Sequence, residues 1–111
     1  MDNPARTDHD VHPLIRDRWS PRAFDDRPID PAHLASLFEA ARWAPSSFNE
    51  QPWRFVIARR DDTEAFERIL SCLSEKNRTW ARHAAVLGVS AVRTTFSRND
   101  KPNRSAHHDG G

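Results

Sequence analysis

With 111 residues the chain has room for one domain and a modest core. Apolar residues are 37% and charged residues 30%, and a net charge of +1 gives no field to recruit nucleic acid or an anionic membrane. A single cysteine, Cys72, excludes an internal disulfide framework and suits a reducing compartment. The opening Met1-Asp2-Asn3-Pro4 lacks the basic and apolar regions of a secretory signal, and no apolar run approaches the ~20 residues of a membrane helix. The expectation is a soluble cytoplasmic protein.

Residues 1–10 are polar and read as a loose terminus. Val11, Leu14 and Ile15 have helical spacing, predicting a short helix to about Asp17 with Pro13 in its first turn. Arg18-Trp19-Ser20-Pro21-Arg22-Ala23-Phe24 breaks that pattern, and Pro21 biases Ser20 towards extended geometry. Asp25-Asp26-Arg27-Pro28 is a turn. A well-marked helix start follows. Asp30 caps, Pro31 takes the first helical position, and Ile29 and Leu34 are spaced as a hydrophobic staple. Leu34, Leu37, Phe38 and Ala41 predict one buried stripe, and Pro45 ends the helix near Trp43 or Ala44.

Phe55 to Ala58 is apolar at every position, as in a strand covered on both faces. Asp61-Asp62-Thr63-Glu64 starts another helix, with Phe66, Ile69, Leu70 and Leu73 as its buried stripe. Cys72 lies beside that stripe without a basic neighbour and reads as a small core or boundary residue. Glu75 to Arg82 continues as helix or loop, anchored by Trp80. Ala84 to Val92 predicts a second buried strand, despite Gly88. Residues 97–111 form a polar tail with no closing helix or strand. In its His107-His108-Asp109 run, neighbouring side chains rarely converge on one metal ion, so the run reads as disordered. Two buried strands and two or three helices make an α+β set that is incomplete, because such strands require more cover than this chain supplies.

The chemistry centres on Ala44-Pro45-Ser46-Ser47-Phe48-Asn49-Glu50-Gln51-Pro52-Trp53, a polar loop between two core elements. Ser46, Ser47, Asn49 and Gln51 donate and accept hydrogen bonds, but none titrates near neutral pH, so the loop alone runs no acid–base catalysis. It suits the imide-like edge of a planar heterocycle. In the extended segment before it, Arg18, Ser20 and Arg22 point to one side and make a fork for a phosphate dianion. A ligand with a phosphate at one end and a hydrogen-bonding ring system at the other, such as FMN, fits both features. The alternative is a solvated Arg-Ser-Arg turn and a loop whose Ser and Asn cap their own backbone. No nucleophile elbow, Walker loop or dinucleotide glycine pattern occurs.

These residues resemble a known family. Arg18 to Phe24 is similar to the Arg-Arg-Ser-x-Arg-x-Phe opening of FMN-dependent nitroreductases. Ala40-Ala41-Arg42-Trp43-Ala44-Pro45-Ser46-Ser47-Phe48-Asn49-Glu50-Gln51-Pro52-Trp53-Arg54-Phe55 resembles their Ala-Ala-x-x-Ala-Pro-Ser-Ser-x-Asn-x-Gln-Pro-Trp-x-Phe signature. The resemblance implies a three-layer α/β/α sandwich, incomplete in this chain. It implies that Arg18, Ser20 and Arg22 hold the FMN phosphate and ribityl chain. Trp19 stands where a basic residue is usual and is carried over as a backbone contact. Pro45, Ser46, Ser47, Asn49 and Gln51 would meet the isoalloxazine ring, in a homodimer with flavin at the subunit interface. The implied reaction is ping-pong, with NAD(P)H as donor and a nitroaromatic, quinone or similar acceptor. His108-Asp109-Gly110 resembles the segment entering the family's long central helix, so the chain reads as the N-terminal portion of such a domain. A non-catalytic remnant or interaction module is the competing reading, and a small Arg-rich nucleic-acid binder is disfavoured by the balanced charge.

Overall fold

Local signals set most element boundaries. A computed structural model describes residues 3–111; Met1 and Asp2, the start of the expected loose terminus, lie outside the described residues. Helix α1 (Pro13–Arg16) begins at Pro13, and the His12 Nδ1 accepts from the Leu14 amide at 3.2 Å. Helix α2 (Pro31–Arg42) begins where Asp30 accepts from the Ala32 amide at 2.8 Å, with Pro31 supplying no amide to satisfy. It stops at Trp43, two residues before Pro45. Strand β1 (Trp53–Arg59) leads to α3 (Thr63–Ser71), whose cap Asp62 accepts from the Ala65 amide at 3.3 Å. Then come α4 (Glu75–Ala81), which settles the helix-or-loop alternative, strand β2 (Val86–Val92) and a short α5 (Ala106–Gly110).

The strands pair antiparallel, with Trp53 opposite Val92 and Arg59 opposite Val86. Residues two apart share a face. Ala58 and its partner Leu87 point to the side of α3 and α4, where Ala58, Phe66, Leu70 and Ala81 form the buried cluster and Ile69, Leu73 and Trp80 pack around it. Phe55 faces the other way and meets Phe38 of α2, with ring centroids 5.3 Å apart. Val92 shares that second face, and Gly110 of α5 approaches it so closely that a Cβ there would overlap the valine methyl. Helices thus flank both faces of a small sheet. This is a mixed α/β/α arrangement, incomplete in this chain.

Several expectations change. The strands are not covered on both faces: Phe55 is 45% and Val56 63% exposed. The α2 stripe is half-covered at Leu34, Phe38 and Ala41, and Leu37 is 57% exposed. Phe55 and Val56 point to opposite faces, so each face of the sheet is only partly covered by the described helices. The accessible surface is 9266 Å², against about 6300 Å² for a compact monomer of this mass. The radius of gyration is 16.9 Å, against roughly 13 Å for a compact domain of this length. Cys72 is exposed, not a core or boundary residue, because it falls at the end of α3 with its Sγ turned to the Arg68 carbonyl at 3.4 Å. The C-terminal segment does acquire a closing helix: Ala106 is fully buried and Asn103 is buried, so the reading of His107-His108-Asp109 as a disordered run is corrected. Small residues, too few to show a periodicity, allow that packing. Among the described residues no helix is long and apolar enough to cross a membrane.

Candidate functional site

The Arg-Ser-Arg segment lies between α1 and α2 and is exposed throughout, including Arg18, Trp19, Ser20 and Arg22. Arg18 Nη1 donates to Ser20 Oγ at 3.2 Å, so two of the three fork residues already stand together. Among the described residues Arg22 makes no ion pair, which leaves its guanidinium available to an anion. The neighbouring turn forms as its sequence predicts: the Asp25 carboxylate accepts from the Arg27 amide at 3.0 Å and from its Nε at 2.7 Å. The Arg27 side chain pulls the Asp25 carboxyl below its ordinary range, with the amide bond adding.

The polar loop between α2 and β1 makes a single 3₁₀ turn over Ser47–Asn49. Pro45 and Asn49 are exposed; Ser46, Ser47 and Gln51 are half-buried. Phe48, Asn49 and Gln51 all adopt the left-handed region, with φ of 55°, 51° and 49°. Each such position costs a side-chain-bearing residue on the order of 1 kcal/mol, less for Asn, so the loop requires support. Part of it is local. Ser46 Oγ accepts from the Gln51 amide at 2.9 Å, and Gln51 Nε2 donates to Asn49 Oδ1 at 3.0 Å. The serine part of the self-capping alternative is therefore present, while Asn49 bonds a side chain and not its own backbone. The pairing nonetheless leaves the Asn49 amide nitrogen and the Gln51 amide oxygen without another hydrogen bond among the described residues. A donor and an acceptor stand beside each other on an uncharged edge.

The remaining support comes from far along the chain and was not foreseen. Asp109 Oδ2 accepts from the Ser47 amide at 2.9 Å, and Glu50 Oε1 accepts from the Ser97 amide at 2.5 Å. The Asp109 side chain is only 10% exposed. The Ser97 amide bond holds the Glu50 carboxyl below its ordinary value, with the Ser97 side chain, Arg93 and Arg98 acting in the same direction. Phe48, itself 73% exposed, meets Phe96 edge-on. No local sequence signal could have linked Glu50 to Ser97 or Ser47 to Asp109.

A phosphate-bearing ring cofactor fits these residues by the chemistry of the donor set. The fork presents cationic donors and a hydroxyl, and the loop presents neutral donors with one matching acceptor. No hydrogen bond among the described residues joins the fork to the loop. A cavity of about 250 Å³ lies elsewhere, lined by Asp26, Pro28, Ile29, Arg59, Arg60, Asp61 and Ala85. Its arginines are already engaged: Arg59 with Asp61 at 2.8 Å, and Arg60 with the Ala84 carbonyl at 3.0 Å.

Comparison with known proteins places these features in context. A profile of the nitroreductase family matches residues 15–107. A Streptomyces coelicolor protein named as an NADH dehydrogenase/NAD(P)H nitroreductase is 40% identical over 83 residues, 75% of this chain and 40% of that protein. A nitrobenzene nitroreductase of Ectopseudomonas oleovorans is 42% identical over 69 residues, 61% of this chain and 29% of its own length. Among solved structures, an oxidoreductase containing FMN superposes with a TM-score of 0.87 at 40% identity, over 96% of this chain and 55% of that one. A nitroreductase of Desulfovibrio desulfuricans in complex with FMN superposes with a TM-score of 0.61 at 27% identity, over 80% of this chain and 48% of the other. The chain thus spans well under two thirds of the relatives it matches.

Proposed function

Since the chain belongs to the nitroreductase family, we propose that residues 1–111 are the N-terminal portion of an FMN-dependent NAD(P)H oxidoreductase domain. Its acceptors are nitroaromatics, quinones or similar compounds, which alternate with the nicotinamide donor at one site. The working unit is a cytoplasmic homodimer with the cofactor at the subunit interface. When bound, FMN supplies the hydride chemistry. The protein supplies binding and orientation. Arg18, Ser20 and Arg22 hold the phosphate, with charge-assisted bonds from the two guanidinium groups. Pro45, Ser46, Ser47, Asn49 and Gln51 line the ring, and Trp19 contributes its backbone. No group in that loop but Glu50 carries charge, and Glu50 is engaged by Ser97. The loop therefore orients a neutral ring edge and moves no proton itself.

The observation that carries this reading is the Asn49 donor set beside the Gln51 acceptor on the loop that follows a cationic fork. The test is direct: the purified chain is incubated with FMN and desalted. Retained yellow flavin that is lost in Arg22→Ala supports the reading; protein that stays colourless overturns it for this chain. A second reading, a non-catalytic interaction module, is favoured by the exposed Phe55, Val56, Ile57 and Val89. A compact, soluble, ligand-free monomer on size-exclusion chromatography would remove it.

A further inference from the structure

Three ties reach the 46–51 loop from a single later stretch. Glu50 bonds the Ser97 amide, Asp109 bonds the Ser47 amide, and Phe48 meets Phe96 with ring centroids 5.6 Å apart, nearly perpendicular at 87°. The Arg98 guanidinium closes the aromatic pair, 4.6 Å from the Phe48 ring centre and 5.1 Å from that of Phe96. The other nearby cations are committed elsewhere. Arg93 pairs with Asp100 at 2.8 Å, and Arg54 donates to the Gln51 and Trp53 carbonyls at 3.0 and 2.7 Å. Arg98 is thus held by ring faces and by the field of Glu50, with no carboxylate of its own to pair with among the described residues.

The loop needs these ties because it contains no glycine and still turns left-handed at Phe48, Asn49 and Gln51. Its internal bonds link only residues within five positions of one another. We infer that Glu50 and Arg98 are positioning residues, anchoring the loop to residues 96–98 so that Asn49 and Gln51 present their donor–acceptor edge in one geometry. For its functional meaning the inference rests on the cofactor reading of that loop; the anchoring can be measured without cofactor. Arg98 fixes the Phe48 ring and Glu50 fixes the backbone two residues on, so the left-handed Asn49 between them cannot relax into an ordinary turn. Around Glu50 stand Arg93 and Arg98, with Asp100 on Arg93. On the far side of the loop is Asp109, with His108 3.5 Å away.

The test compares the full 111-residue chain with Glu50→Gln, Arg98→Ala and Arg98→Lys, by amide exchange and by the pH dependence of the Ser97 amide resonance. Without flavin, Glu50→Gln and Arg98→Ala are expected to speed exchange at Asn49, Glu50 and Gln51, by roughly tenfold for the carboxylate bond. The β1 and β2 amides should keep their rates, and Arg98→Lys should restore most of the protection. The Ser97 resonance should follow an acid titration in the parent chain and lose it in Glu50→Gln, which separates Glu50 from Asp109. Unchanged loop exchange, or equal acceleration through both strands, would overturn the inference. With FMN added, both anchoring variants should bind several-fold more weakly, by about the same factor as the loop loosens. A loosened loop with parental FMN affinity would also overturn it. If the parent chain binds no FMN, the cofactor reading fails alone, and the exchange result still decides the anchoring.

Discussion

On one face of the β1–β2 sheet, Ala58 meets Phe66, Leu70 and Ala81, and the contacts are dry and apolar. On the other, Phe38 touches a Phe55 that remains 45% exposed, and the loop beyond α2 is held by two carboxylates, a pair of rings and a guanidinium. The first side is stabilised by area removed from water, which is insensitive to small changes of angle. The second depends on directional bonds to single atoms, which define a geometry but add little free energy each. The contrast teaches where this chain keeps its stability and where it fixes the geometry of a loop. They are different places.

The sharpest way to break the contrast is to open the closed face. Phe66→Ala should cost about 3–5 kcal/mol in chemical denaturation, since it leaves a cavity among fixed neighbours. Flavin binding measured well below the transition would fall only with the folded fraction. Next is Gly110→Ala, whose new methyl would overlap Val92. About 1–3 kcal/mol of overpacking is expected, with α5 displaced and the Ser47 amide exchanging faster as Asp109 moves. Arg22→Ala should weaken FMN by about 1–3 kcal/mol in a flavin titration while leaving thermal stability within about 0.5 kcal/mol.

Acid gives a finer probe of the open face. Glu50 is held below its ordinary value in the folded chain. Its stabilising effect is therefore complete above the unfolded-state pKa and is lost as pH falls through the lowered folded value. Loop protection, taken relative to the intrinsic exchange rate at each pH, should fall in that acid window and stay level between roughly pH 6 and 8, where the carboxylate stays ionised. The smallest effect is expected at Leu37→Ala, which should lie within about 0.5 kcal/mol of the parent in the same denaturation, because the side chain is already 57% exposed.

Local physics made much of this legible in advance. Asp30 and Pro31 announce α2 to the residue, and the run Asp61-Asp62-Thr63-Glu64 marks where α3 begins without singling out its cap. The unbroken Phe55–Ala58 run identifies β1, although its apolar character speaks of cover that the described residues do not provide. Arg18 beside Ser20 follows from spacing in an extended segment, and their hydrogen bond agrees. The Asn49–Gln51 pairing was beyond reach, because it follows from left-handed backbone at residues that rarely adopt it. Glu50, Phe96, Arg98 and Asp109 were missed for a different reason. Their partners are 47 and more residues away, and a carboxylate or an arginine in a polar stretch looks the same whether it is solvated or bound. Cys72 misled because its neighbours on α3 are buried while it falls at the helix end.

The bond between Ser47 and Asp109 spans 62 residues. During synthesis at roughly 5–20 residues per second, that interval takes about 3–12 s. Helix α2 can form as it leaves the ribosome, since its caps are local. The turn that follows must wait in solvent until Asp109 has been made, so the loop proposed to meet the cofactor takes shape well after the helix that leads into it.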